Sequence, residues 1–173
     1  MPIALLRPQR PGLIETISVP PTKTAQQIMS RDFDDPSESI LSTGYGSVVS
    51  LARFGYDVRG LRGAISNVRA TCFGNKANGS IGYAQRFQFA SHFSIFPFVG
   101  QVPQTRFLDF AVNPATGSAW KWEELAFPMW EAGVRLNSIG YGGEDPVPGI
   151  VWAYRFWIEI THTTPRNFFG VRR

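Results

Sequence analysis

Apolar and polar residues alternate along IVWAYRFWIEITH, residues 150–162, which is the clearest strand signal in the chain. Alternate residues of a strand share one face, and Trp157 shares its face with Arg155 and Glu159. We therefore expect Trp157 to be an intersubunit contact or a partly exposed aromatic residue. The opposite set is entirely apolar or aromatic and is predicted to face a core: Trp152, Tyr154, Phe156, Ile158 and Ile160.

Two further alternating segments flank an Asn-Gly turn signal. AISNVRATCFG, residues 64–74, directs Val68, Ala70 and Cys72 to one side, so Cys72 is predicted to be a buried filler rather than a nucleophile. NKANGS, residues 75–80, predicts a β-hairpin. The returning segment, residues 81–96, places four residues on one face: Tyr83, Gln85, Phe87 and Phe89.

Short strands recur with turn signals at a spacing of roughly ten residues, which is typical of sandwiches and barrels. We predict an all-β fold, a single antiparallel β-sandwich or jelly roll, over residues 31–164. Residues 1–30 are rich in proline and are either an arm that docks on a neighbouring subunit or the first strand of the same domain. Residues 165–173 are predicted to be an extended C-terminal tail.

One short helix is predicted after the turn NPATG, within AWKWEEL, residues 119–125. Thr116 or Ser118 is a candidate N-cap, and Pro128 limits the helix to about two turns. The three tryptophans near this turn are either a sugar-stacking platform or plugs at the open end of the sandwich, and we favour plugs: Trp120, Trp122 and Trp130.

Composition narrows the function. The 173 residues are 14% aromatic, only 17% charged, and carry a net charge of +4 without any lysine or arginine block, so a nucleic-acid partner is not expected. One cysteine, two distant histidines and an acidic loop at Asp32, Asp34 and Asp35 that fails the EF-hand pattern predict no metal site and no cofactor. No apolar run is long enough to span a membrane.

Catalytic patterns are absent from the sequence. Glu123 and Glu124 are adjacent, and adjacent helical residues diverge by about 100°, so they are not placed as an acid–base pair. No GxSxG, P-loop, GxGxxG or HExxH motif is present. We predict that the protein is not an enzyme.

Four segments, in this order, carry a resemblance: DDPSES, GLRGAISNVRATCFG, NPATGSAWKWEELAFPMWEAGVRLNS and AYRFWIEIT. Over residues 31–162 the chain resembles a β-sandwich module of tailed-bacteriophage structural proteins that carries an NPxTGxxW signature. Lys121 and Pro128 depart from that pattern. The matching positions are Asp34, Asp35, Gly63, Ile65, Val68, Asn113, Pro114, Thr116, Gly117, Trp120, Gly133, Val134, Leu136 and Glu159.

This resemblance implies a non-enzymatic virion component, such as a head decoration, collar or tail accessory protein, assembled in the host cytoplasm. Its partners would be copies of itself and other virion proteins, with Trp157, Phe168 and Phe169 as possible subunit contacts. The alternative is a carbohydrate-binding or receptor-binding adhesin module. Removal of residues 1–20 or 165–173 is expected to leave a folded domain that assembles less well.

Overall fold

The alternating segments form long strands, which we describe from a computed structural model covering residues 1–32, 36–142 and 146–164. The first half contains β1 (Ile3–Leu6), β2 (Arg10–Glu15), α1 (Ala25–Met29), β3 (Ile40–Gly44), β4 (Ser47–Gly55) and β5 (Ile65–Lys76). The second half contains β6 (Gly79–Phe87), β7 (Ala90–Ile95), β8 (Gln104–Phe110), a 3₁₀ helix (Trp122–Leu125), β9 (Trp130–Ile139) and β10 (Gly149–His162).

The first sheet is built on β10, the longest of these strands. β5 pairs along one side of β10, and β8 pairs with β5. β1 and β3 lie end to end along the other side, β3 against residues 149–153 and β1 against residues 158–161. Between them, Nη2 of Arg31 donates to the carbonyl oxygen of Tyr154 at 3.0 Å. A side chain therefore provides the hydrogen bond to this backbone carbonyl in the gap between β1 and β3.

The second sheet has the order β2-β4-β9-β6-β7, and its pairings are all antiparallel. The two sheets pack face to face over an apolar core. The predicted all-β antiparallel sandwich is therefore confirmed. The largest side chains that are fully buried in this core include Trp130, Tyr83, Phe54, Phe96 and Phe156.

Much of the predicted inward pattern is correct. Val68, Ala70 and Cys72 are fully buried on β5, and Cys72 is a free thiol. Burial raises the pKa of that thiol, which suits the predicted filler role and keeps the reactive thiolate scarce. Tyr83 and Phe87 also face the core from β6.

The predicted core face of β10 is wrong at Trp152 and Tyr154. The register of β10 against β5 shifts between Ala153 and Arg155, so one extra residue enters the strand. That residue reverses the alternation. Ala153 and Phe156 both face the core, whereas Trp152 and Tyr154 lie on the outer face of the first sheet with Phe73 and Trp157.

Two predictions around β6 are also wrong. Phe89 does not continue the inward face, because it occupies the tip of the β6–β7 hairpin and is 99% exposed. The Asn78-Gly79 turn does not close a hairpin, because β5 and β6 belong to different sheets. The turn instead carries the chain across the sandwich, from β5 beside β10 to β6 beside β9.

A short helix follows the NPATG turn, but as the single 3₁₀ turn Trp122–Leu125. Neither predicted cap serves it: the N-cap is Lys121, without a side-chain hydrogen bond. The Thr116 hydroxyl is engaged within the preceding turn, where it accepts from the Ser118 N–H at 3.3 Å. The chain contains a second helix that was not predicted, α1, whose N-terminus has a capping box between Thr24 and Gln27.

Residues 1–30 form strands of this domain in the structure. β1 pairs with β10 in the first sheet, and β2 pairs with β4 in the second. β2 ends at Glu15, and the next residue, Thr16, adopts a positive φ of 50°. Asp34, Asp35, Phe168 and Phe169, with the tail 165–173, lie outside the described residues.

Candidate interaction surfaces

Asn113 organises the NPATG turn at one end of the sandwich. Its side-chain Oδ1 accepts from the N–H of Ala115 at 3.0 Å, and its carbonyl oxygen accepts from the N–H of Gly117 at 2.7 Å. Gly117 has φ of 70°, a conformation that glycine adopts without strain. Pro114 sets the first corner of the turn with its fixed φ. The signature residues therefore form a closed structural turn.

A buried polar network ties this turn to the second sheet. Gln85 Nε2 donates to Asn113 Oδ1 at 3.1 Å, while Gln85 Oε1 accepts from the Tyr83 hydroxyl at 2.6 Å and from Trp130 Nε1 at 3.2 Å. Asn113 also donates from Nδ2 to Glu124 at 3.5 Å. Burial raises the pKa of Tyr83, so its hydroxyl remains a donor. These groups satisfy one another and stabilise the corner.

The tryptophans do not form a sugar platform. Trp120 is 4% exposed, contacts Trp130 edge-to-face at 6.4 Å, and donates to the carbonyl oxygen of Phe110 at 2.9 Å. Trp122 donates to the carbonyl oxygen of Gly63 at 2.7 Å and is only partly exposed. All five tryptophans lie in the described ranges, and each is buried or half-buried. Trp120 therefore occupies the position of a plug in the sandwich end.

Trp157 belongs to an aromatic cluster on the outer face of the first sheet. It is 9% exposed and packs with Phe73 and Tyr154. Its Nε1 donates to Glu159 at 2.8 Å, and the guanidinium of Arg155 lies 4.2 Å from the ring centroid. The neighbours expected from the sequence are thus in place and cover most of the ring. Its role as a subunit contact stays a prediction.

The two histidines lie in different sheets, His92 on β7 and His162 on β10. His92 bonds to the Ser94 hydroxyl at 2.7 Å, and burial lowers the pKa of its imidazole. His162 lies elsewhere, and its Nδ1 donates to the carbonyl oxygen of Arg62 at 2.9 Å. Within residues 1–32, 36–142 and 146–164, no three metal-ligating side chains come together.

The outer face of the second sheet carries a groove of about 270 Å³. Val49 and Leu51 line one side, and Phe93 with Arg135 lines the other. The Arg135 guanidinium lies 4.6 Å from the Phe93 ring centroid, which is a cation–π geometry. Beside the groove, Gly133 brings β9 so near β4 that an added Cβ would overlap the Ala52 carbonyl oxygen.

At one end of the groove, Arg53 and Glu131 form a loose ion pair. The Nε–Oε2 distance is 3.7 Å, and neither of these two buried atoms has a hydrogen-bond partner among the described residues. Desolvation lowers the pKa of Arg53, partly opposed by the charge of Glu131. This pair places two charged groups with unsatisfied atoms beside a groove that Arg135 also lines.

Exposed apolar side chains are concentrated along β7, β8 and the loops around them. No charged residue occurs between Arg86 and Arg106, although the whole chain is 17% charged. The large apolar side chains exposed in this part of the described chain are Phe89, Phe93, Ile95, Val99, Val102, Phe107 and Val112. This uncharged segment, residues 87–105, is an exposed apolar stretch of the described chain, as are residues 1–19.

No family model matches the chain. No curated protein shows a significant match to it. Among the described residues, no helix has the length and apolar character needed to cross a membrane.

Proposed function

We propose that this protein is a non-enzymatic structural subunit of a tailed-bacteriophage virion, acting through contacts with copies of itself and with neighbouring virion proteins. The observation that carries this proposal is the uncharged segment 87–105, which leaves side chains such as Phe89, Ile95 and Val99 largely in solvent. Monomeric soluble proteins rarely expose contiguous apolar surface of this kind. Burial in an assembly removes that cost.

The NPATG turn and the hydrogen bonds that tie it to the second sheet support the same proposal. Asn113, Gln85 and Trp130 direct their polar groups to one another within the core, so the signature stabilises a rigid subunit. The resemblance to phage structural modules supplies the setting, a head decoration, collar or tail accessory position.

Light scattering on the purified full chain tests self-association. The expected mass is a multiple of 19.3 kDa that persists on dilution through the micromolar range. Mass spectrometry and electron microscopy of purified particles from the host test the location, and the chain should be a stoichiometric virion component. A chain absent from the particle would overturn the proposal.

A glycan-binding adhesin is the second candidate, and the groove on the second sheet favours it. Its Phe93–Arg135 pair offers an aromatic ring and a cation beside the Arg53–Glu131 pair, a combination that suits a charged sugar. Glycan-array screening should then find a ligand that Phe93→Ala abolishes. Phe107→Ala is the matched control, because Phe107 forms a similar pair with Arg69 on the first sheet.

A further inference from the structure

β7 is an edge strand, and no strand among the described residues pairs with its outer side. It pairs with β6, in a register that continues to the bond from the Phe96 N–H to the Ile81 carbonyl at 2.9 Å. In an antiparallel ladder, bonded pairs alternate along the strand. The N–H and carbonyl groups of Ser91, Phe93 and Ile95 therefore point away from β6, toward the free side of the sheet.

The other outer strands carry features that oppose such pairing, and β1, beside β10, is only four residues long. β2, at the opposite edge of the same sheet, contains Pro11 and a register shift. β8 carries Arg106 and Asp109, and β3 is covered by the Ser18–Leu41 bridge. Charges, prolines and irregular pairing are the usual means by which edge strands avoid association.

β7 has none of these protections. Its six residues, ASHFSI, contain no lysine, arginine, aspartate, glutamate or proline, and its pairing with β6 has no register shift. Phe93 and Ile95 stand on the same face of the strand, 37% and 58% exposed. An edge strand that is regular, free of lysine, arginine, aspartate and glutamate, and at the end of its sheet is competent to receive another strand.

We infer that β7 receives β7 of a second copy of this chain, antiparallel and about a twofold axis at Phe93, so that the two second sheets become one continuous sheet. This inference rests on the proposed self-association. The occupant is a second copy because the edge is self-complementary. With Phe93 opposite Phe93, the register sets Ser91 opposite Ile95 in both directions, and each free N–H meets a free carbonyl.

The charges and side chains near β7 are compatible with a second copy of the chain at this edge. The edge strands themselves bring no like charges together, because residues 87–105 contain none, and the nearby Arg135 guanidinium on each copy lies over its own Phe93 ring. On each copy the Phe93 ring lies over Gly82 toward Arg135, so Ile95 of one copy and Ser91 of the other meet across the new pairing on the outer face. The same register sets the exposed Phe89 opposite Pro97 of the second copy, which gives that hairpin tip a contact.

A charge at the edge tests the inference. Light scattering should give a dimer or a multiple of dimers for the full chain, and Ile95→Lys should weaken the β7 dimer at least about tenfold by placing two lysines beside the axis. Ile139→Lys is the matched control. Ile139 is a 39% exposed isoleucine on β9 of the same sheet, so its replacement should leave the mass unchanged.

A distance measurement covers the case in which Ile95→Lys does not fold, as judged by circular dichroism. Spin labels on Phe93→Cys should give a short distance between copies, because paired strands bring their Cα atoms to about 5.5 Å. Labels on Ile139→Cys should lie farther apart. Cys72 is buried and leaves the labelling selective.

The outcomes separate the two proposals. An oligomer whose Phe93→Cys labels are far apart, or that Ile95→Lys leaves intact, overturns the β7 pairing and leaves the structural role standing. A chain that is monomeric in solution but present in virions also overturns the pairing alone. Short label distances in a protein that is absent from virions would keep the pairing and overturn the virion role.

Discussion

At the scale of single residues, the side chain of Asn113 forms hydrogen bonds with three parts of the molecule. Its Oδ1 accepts from Ala115 in its own turn and from Gln85 on β6, and its Nδ2 donates to Glu124 in the 3₁₀ helix. Asn113 is fully buried, so water cannot replace these partners. A buried polar group that loses its partner costs more free energy than the hydrogen bond contributed.

We expect Asn113→Ala to lower the free energy of unfolding by about 1–3 kcal/mol, because it leaves Gln85 and the Ala115 N–H without their acceptor. Urea denaturation followed by tryptophan fluorescence measures this loss. Asn67→Ala is the control. Asn67 bonds to Asp109 at the surface, and its replacement should change stability by less than about 0.5 kcal/mol. Equal effects of the two substitutions would contradict the structural role of Asn113.

Asp57 carries a pH-dependent contact. Side-chain and backbone hydrogen bonds from Arg59 lower the pKa of its carboxyl from 3.8 to about 2. A carboxyl whose pKa is lower in the folded state stabilises the fold above pH 3.8, and this contribution is lost as the pH falls toward 2. NMR titration should return the pKa of Asp57 toward 3.8 in Arg59→Gln. Asp109, which pairs with Arg69, should titrate unchanged in that variant.

At the scale of elements, the close packing of β4 against β9 restricts which residues these strands can contain. The two strands pair over eight residues, with Gly133 opposite Arg53. A Cβ on Gly133 would overlap the backbone carbonyl of Ala52, which cannot rotate away as a side chain could. The position therefore excludes every larger residue unless the strands separate.

Gly133→Ala should destabilise the protein by about 1–3 kcal/mol, because β4 must shift to admit the methyl group. Thermal denaturation measures the change. Gly142→Ala makes the same chemical change where no atom lies within 4 Å of the added Cβ, and it should leave the melting temperature nearly unchanged. A neutral Gly133→Ala would mean that β4 and β9 are less closely packed than described.

For the whole molecule, the N-terminal strands close both sheets on one side. Leu6 of β1 is 6% exposed and belongs to the core, and β1 also satisfies backbone groups of β10 at residues 158–161. β2 does the same for β4. These contacts revise the expectation for truncation, because removing the segment exposes two strand edges and part of the core.

Removal of residues 1–15 should therefore lower the melting temperature by at least about 4–8 °C, since burying one leucine alone contributes roughly 2 kcal/mol. Calorimetry of the full and truncated chains measures this shift. Removal of residues 165–173 provides the comparison, and we still expect it to leave a folded domain with weaker assembly. A truncated chain lacking residues 1–15 that melts with the full chain would assign that segment to an arm.

Local patterns predicted much of the fold and part of the site. Alternation identified β5, β6 and β10, and placed Cys72 and Phe156 in the core. Asn-Pro and glycine identified the turn at Asn113. The bulge in β10 had no such signal, because an inserted residue changes which face a side chain occupies without changing the composition of the strand. The faces of Trp152 and Tyr154 were therefore not predictable.

The sequence by itself determined an all-β chain with its turns, its buried cysteine and its lack of catalytic motifs, because these depend on residues near one another in the chain. The tertiary structure alone decided which strands pair. It placed β5 and β6 in opposite sheets, brought Gln85 to Asn113, and left β7 at an edge. Strand pairing joins distant residues, and its free energy depends on packing that no local pattern contains.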